Sequence, residues 1–133
     1  MGMDIFGKDP RNKAGEYFRA DMIMWETIHA ICDKAIAASG LPFVTKDWSF
    51  NDGRGLAAQE HCDLLVVALK KYIKENPPKN GIFRIEQKVY AQNGTNGSIG
   101  GSKATIRSPF EVSAKEMKEF IAFLKNCGGF EID

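Results

Sequence analysis

Residues 113–132 read SAKEMKEFIAFLKNCGGFEI, which is a helix start, a helix, a stop and a short β-prone tail. Ser113 and Glu116 stand at capping-box spacing: the serine hydroxyl accepts from the third helical N–H, and the glutamate side chain accepts from the serine's own amide. Met117, Phe120, Leu124 and Cys127 then recur on one helical side with Ile121 beside them, while Lys115, Lys118 and Lys125 face away. Gly128-Gly129 ends the helix in the manner of a left-handed cap, and Phe130-Glu131-Ile132 predicts a final strand.

The segment upstream supplies the β half of the fold. Residues 82–92, IFRIEQKVYAQ, alternate Phe83, Ile85, Val89 and Ala91 against Arg84, Glu86, Lys88 and Gln92, with a break at Gln87. The loop NGTNGSIGGS and the segment KATIRS follow, so residues 82–108 predict a hairpin with a long tip and a return strand, while residues 86–90 would also tolerate a helix.

Two helices are expected before it. From residue 21, Met24, Trp25, Ile28, Cys32, Ala35 and Ile36 share one side, and Ser39-Gly40 with Pro42 ends the pattern. The turn WSFNDGRG offers Asn51 or Asp52 as a cap for a helix over residues 56–76. Ala58, Cys62, Leu65, Val66, Leu69, Tyr72 and Ile73 form its apolar face, with Leu56, Leu64 and Val67 off that face, so it reads as the central helix. Asn76-Pro77-Pro78 stops it. Residues 3–6 suggest an edge strand. The expected architecture is α+β: three amphipathic helices on a small antiparallel sheet built from the 82–108 hairpin, with the two chain ends as further candidate strands.

Bulk properties narrow the class. A chain of 133 residues, 44% apolar, supports one domain with one core. Eighteen Lys/Arg against seventeen Asp/Glu give a net charge of +1, which removes any chain-wide field for nucleic acid, anionic lipid or acidic partners. The local exception is residues 70–107, with eight basic side chains against Glu75 and Glu86. The longest apolar run, residues 64–69, falls far short of the ~20 residues of a membrane span, so no membrane partner is expected. Three widely spaced cysteines and an N-terminus without a cationic, apolar leader point to reduced thiols in a cytoplasm. No cofactor is expected.

Each histidine stands within three residues of a cysteine. His29 and Cys32 share a helix side, and with His61 or Cys62 they would offer zinc a nitrogen and sulfur set. Adjacent His61 and Cys62 diverge by about 100° on a helix, however, and Cys32, Cys62 and Cys127 each lie on an apolar side, where free cysteine packs as a small hydrophobe. Packing is therefore preferred to metal, and metal to a nucleophilic cysteine served by His29 or His61 with Asp33 or Asp63. The glycines of the tip, residues 93–102, match neither phosphate-loop spacing. Tyr72, Phe83 and Tyr90 among the basic residues of 70–107 make single-stranded nucleic acid a second-ranked partner. Arg19, Trp25, Trp48, Asn51 and Asp52 flank the starts of the first two helices and are the candidate contact residues for a ligand or protein partner.

The pieces MGMDIFGKDPRNKAGEYFR (residues 1–19), the NDG turn and FIAFLKNCGGFEID (residues 120–133) resemble a family of small bacterial and phage proteins. Those begin with Gly-Leu-Asp-Ile-Tyr-Gly, pass through Gly-Glu-Tyr-Phe-Arg and a tryptophan-rich helix start, and finish on Gly-Gly-Phe-Glu-Ile. The matching pieces cover about a third of the chain. Where the family has paired asparagines, consecutive tryptophans and an Arg-Pro, this chain has residues 20–27 as ADMIMWET, keeping one tryptophan. The resemblance implies a shared small fold and a prokaryotic or phage setting, and no chemistry. The expected function is a binding or accessory protein acting through its surface, with a nucleic-acid binder and a metal- or thiol-dependent enzyme as alternatives. An exposed edge strand at either terminus leaves a homo-oligomer open.

Overall fold

The computed structural model describes residues 2–50, 53–85 and 110–133. In chain order these form β1 (Gly2–Gly7), β2 (Tyr17–Asp21), α1 (Met22–Ser39), α2 (Gln59–Glu75), β3 (Ile82–Arg84), β4 (Glu111–Ser113), α3 (Ala114–Asn126) and β5 (Phe130–Ile132), with turns of 3-10 helix at Lys13–Gly15 and Lys46–Ser49. The fold is α+β, with antiparallel pairing throughout its named strands.

Local chemistry sets the helix ends. Asp21 accepts from the Met24 amide at 2.7 Å and caps α1, and Gly40 closes it at φ 66°. The capping box of α3 is complete: the Glu116 amide donates to Ser113 Oγ and the Ser113 amide to Glu116 Oε1, each at 3.0 Å. Alternation then divides the larger sheet, ordered β2-β1-β5, into two faces. Met3, Ile5, Phe18, Ala20, Phe130 and Ile132 are buried beneath the helices, with Phe18 5.1 Å from Phe120 between ring centres. Phe6, Tyr17 and Arg19 stand on the outer face. Among the described residues the buried apolar side chains join one cluster, which runs through α1, α2 and α3.

A backbone seam locks the chain ends together. Amides of Lys8, Asp9 and Arg11 donate to the carbonyls of Gly129, Cys127 and Asn126 at 2.8, 2.9 and 2.9 Å. Such close approach requires glycine: a Cβ on Gly15 would stand 1.9 Å from the Asn126 oxygen, and one on Gly128, at φ 70°, would stand 2.3 Å from that of Asp9. The far side of β5 is covered too, since the amides of Phe130 and Ile132 donate to Leu56 and Arg54 carbonyls at 2.8 and 2.7 Å.

The structure revises the sheet in two ways. The chain ends build the three-stranded sheet, while β3 belongs to a separate pair and meets β4, in the register Phe83↔Val112. The expected return strand at residues 103–108 and the tip at 93–102 lie outside the described residues. Strand β2 adds to the expected elements: Phe18 and Ala20 face inward and Tyr17, Arg19 and Asp21 outward, an alternation of five residues that runs straight into α1 and is too short to stand out beside it. Helix α2 starts at Gln59 rather than at residue 56; Ala58 holds its N-cap position without a side-chain bond, and Asn51 and Asp52 lie outside the described residues. Leu56 is buried in the preceding loop, where its carbonyl serves β5.

Candidate functional site

The histidine and cysteine candidates go to different places. His61 is exposed and meets Phe43 edge-on at 5.7 Å. Cys62, one residue on, points inward, where its Sγ lies 3.6 Å from that of Cys127. Cys32 is fully buried in the core, and burial, then the charge of Asp33, pushes its thiol up. Among the described residues no three His, Cys, Asp or Glu side chains are grouped to hold a metal. The hydrogen bond across the Cys62–Cys127 pair favours a thiolate on Cys127 and holds the Cys62 thiol up, with burial adding to the second effect. All three cysteines are free and buried. No thiol of the native protein is therefore expected to react rapidly with an aromatic disulfide reagent at neutral pH, and all three should react at once in denaturant. A fast native thiol would show that the Cys62–Cys127 pocket opens to solvent.

Trp25, Trp48 and His29 do come together, and they form an interior. The tryptophans are 1% and 2% exposed, and their rings lie 6.3 Å apart. Trp25 Nε1 donates to the Trp48 carbonyl at 2.7 Å, which is the partner a buried indole needs. Trp48 is edge-on to Phe130 at 5.4 Å, tying the 3-10 turn to β5. His29 stacks on Trp25 at 6.5 Å, with Nε2 3.2 Å from Thr45 Oγ1 and Nδ1 3.2 Å from Ser49 Oγ. Thr45 in turn donates to Asp33, and Ser49 donates to Glu26 at 3.0 Å. Both ring nitrogens and both hydroxyls are thus engaged, and among the described residues no buried side-chain polar atom lacks a partner. A nucleophile needs a base on one side and space for a substrate on the other. This chain of bonds instead pins residues 45–49 onto α1. Neither Thr45 nor Ser49 carried a sequence signal, because their role depends on a loop folding back over α1.

Arg19 lies apart from the tryptophans, on the outer face of β2. It pairs with Asp4, which also accepts from the Tyr17 hydroxyl. That hydroxyl first, and the guanidinium second, hold the Asp4 carboxyl below the usual carboxylate range.

The open surface of the larger sheet is its β2 side. Among the described residues no strand pairs with the outer edge of β2. The ladder alternates from the Gly7 amide donating to the Glu16 carbonyl, so Phe18 and Ala20 bond β1 while the backbone groups of Tyr17 and Arg19 face outward. Beside this edge a groove of about 430 Å³ separates β2 from α3, with Phe18, Met24, Ala122 and Phe123 as apolar walls and Glu116 and Glu119 among its lining. Phe6, Tyr17, Met22 and Ile23 are exposed apolar side chains on β1, on β2 and at the start of α1. Of the described residues expected from sequence to make contacts, Arg19 belongs to this region while Trp25 and Trp48 are buried elsewhere. No helix is long and apolar enough to cross a membrane among the described residues. No family model, curated protein or solved structure matches the chain.

Proposed function

We propose that this chain is a small binding protein that takes an extended segment of a partner protein as an added strand on β2. The observation that carries this reading is the outer edge of β2, where among the described residues no strand takes up the outward backbone groups, beside an apolar groove. Added strands draw affinity from main-chain hydrogen bonds and specificity from pockets for alternate side chains. Glu116 already caps α3, which leaves Glu119 as the acidic group for an incoming cation. The partner segment therefore alternates apolar with basic residues. Buried, reduced thiols suit a cytoplasmic setting, and the resemblance noted above suits a bacterial or phage one.

A random peptide library panned on the full chain tests this. Enriched sequences should alternate apolar and basic residues, shift the amide resonances of residues 17–21, and bind at least tenfold more weakly to Glu119→Lys. Arg19→Pro removes an outward donor while leaving the bonds to β1 in place, and edge strands tolerate proline. It should weaken binding similarly. Undiminished binding to both variants, or shifts confined elsewhere, would sink the reading. Salt-sensitive retention on a single-stranded oligonucleotide column, with no peptide enriched, would favour nucleic acid instead.

A further inference from the structure

Helix α2 is buried on one side by Cys62, Leu65, Val66, Ala68 and Leu69, yet two aliphatic side chains stand on its opposite side: Leu64, 49% exposed, and Val67, 67% exposed. They are the middle of a straight stripe. Glu60, Leu64, Val67, Lys71 and Lys74 follow at alternating spacings of four and three, the spacing that keeps residues on one helix face. All five are exposed. Single exposed apolar residues need no explanation; a charge-flanked apolar pair in register on a helix has the form of a helix–helix contact.

The order of charges along the stripe selects the occupant. It is acidic at the start, apolar in the middle and basic at the end, so it complements itself when reversed. We infer that α2 pairs antiparallel with α2 of a second copy of this chain, about a two-fold axis midway between Leu64 and Val67. In that register Leu64 packs on Val67 of the partner subunit, and Glu60 faces Lys71 of the partner subunit. Both contacts occur twice by symmetry. On one flank Asp63 comes level, within about one half-turn, with Lys70 of the partner subunit. That flank has a use for a carboxylate. Lys70 lies beside Lys125 of α3, and the neighbouring amine lowers the Lys70 ammonium from its ordinary range. Antiparallel helices also place each positive N-terminus near a negative C-terminus. A parallel pair would instead set Glu60 against Glu60 and Lys71 against Lys71.

One helix pair with two aliphatic contacts buries less than the ~1,200 Å² at which standard interfaces begin, so the dimer is weak, with Kd on the order of 100 μM. Sedimentation velocity of the full chain from about 10 μM to about 1 mM at low salt reads it directly. The expected mass rises from 14.8 kDa toward twice that value, and falls back as salt screens the charge pairs. Val67→Lys puts like charges at the centre and should weaken association at least tenfold, with an unchanged melting curve because the position is exposed. Glu60→Lys should also weaken it, and Glu60→Lys combined with Lys71→Glu should restore it, since each copy then carries both swapped partners. A chain that stays monomeric at 1 mM and low salt overturns the inference. So does a dimer indifferent to Val67→Lys, which would point to pairing through β2, and so does a charge swap that fails to restore association in a normally folded double variant.

Discussion

Gly128→Ala is expected to cost about 3–5 kcal/mol, a large share of the ~5–15 kcal/mol by which domains of this size are stable. Two effects add. A left-handed backbone costs a residue bearing Cβ about 1–2 kcal/mol, and the new methyl would lie 2.3 Å from the Asp9 carbonyl oxygen, inside contact distance. Relief would require the seam between residues 8–11 and 126–129 to part, releasing amides that donate to Gly129, Cys127 and Asn126. Gly40→Ala is the control. Its φ of 66° is nearly the same, but nothing lies within 4 Å of the added methyl, so only the conformational cost of about 1 kcal/mol applies. Urea denaturation of both variants measures the difference. Equal costs would mean that the seam is not packed as described.

Trp25→Ala should destabilise the chain by a similar 3–5 kcal/mol, the usual range for removing a buried aromatic side chain. The indole fills space between Trp48 and Phe120, and its Nε1 satisfies the Trp48 carbonyl. Trp25→Phe keeps part of the volume and loses the donor, so an intermediate loss of about 1–3 kcal/mol is expected. Combining Trp25→Phe with Trp48→Phe should show a coupling of about 0.5–1.5 kcal/mol between the rings. The same experiment decides between interior and contact surface. Tryptophans lining an open cleft would change stability by less than about 0.5 kcal/mol when shortened, and would be felt only in binding.

Much of the fold was legible because its signals are local. The capping box at Ser113, the double glycine after α3, Gly40 after α1 and the prolines after α2 each act within a turn of the residue that carries them. The strand pairings were not legible, because pairing depends on which distant segment lies alongside. Phe130 to Ile132 reads as a strand, but nothing in those residues says that its neighbour is β1 rather than β3. The candidate site divides the same way. Burial of Cys32, Cys62 and Cys127 followed from helical period alone, whereas the approach of Cys62 to Cys127 needed α2 and α3 to be docked. Trp25 and Trp48 are residue types that serve surfaces and interiors equally well. Their burial depends on His29, Thr45 and Ser49 fixing a loop over α1, and on Phe130 arriving from the far end of the chain. The edge of β2 was hidden for the same reason: whether an edge is paired depends on distant strands, and among the described residues none pairs with it.

Because β1 is the middle strand of its sheet, the order of synthesis leaves it half-built for a long time. β2 emerges soon after β1 and can pair at once, but β5 is made last, so the second edge of β1 stays open while nearly all the described chain leaves the ribosome. Distant pairing of this kind slows folding, and an open apolar strand is a template for wrong neighbours. A translating ribosome thus carries β1 with one edge open until β5 has been made, and exposed strand edges of that kind are what chaperones exist to shield.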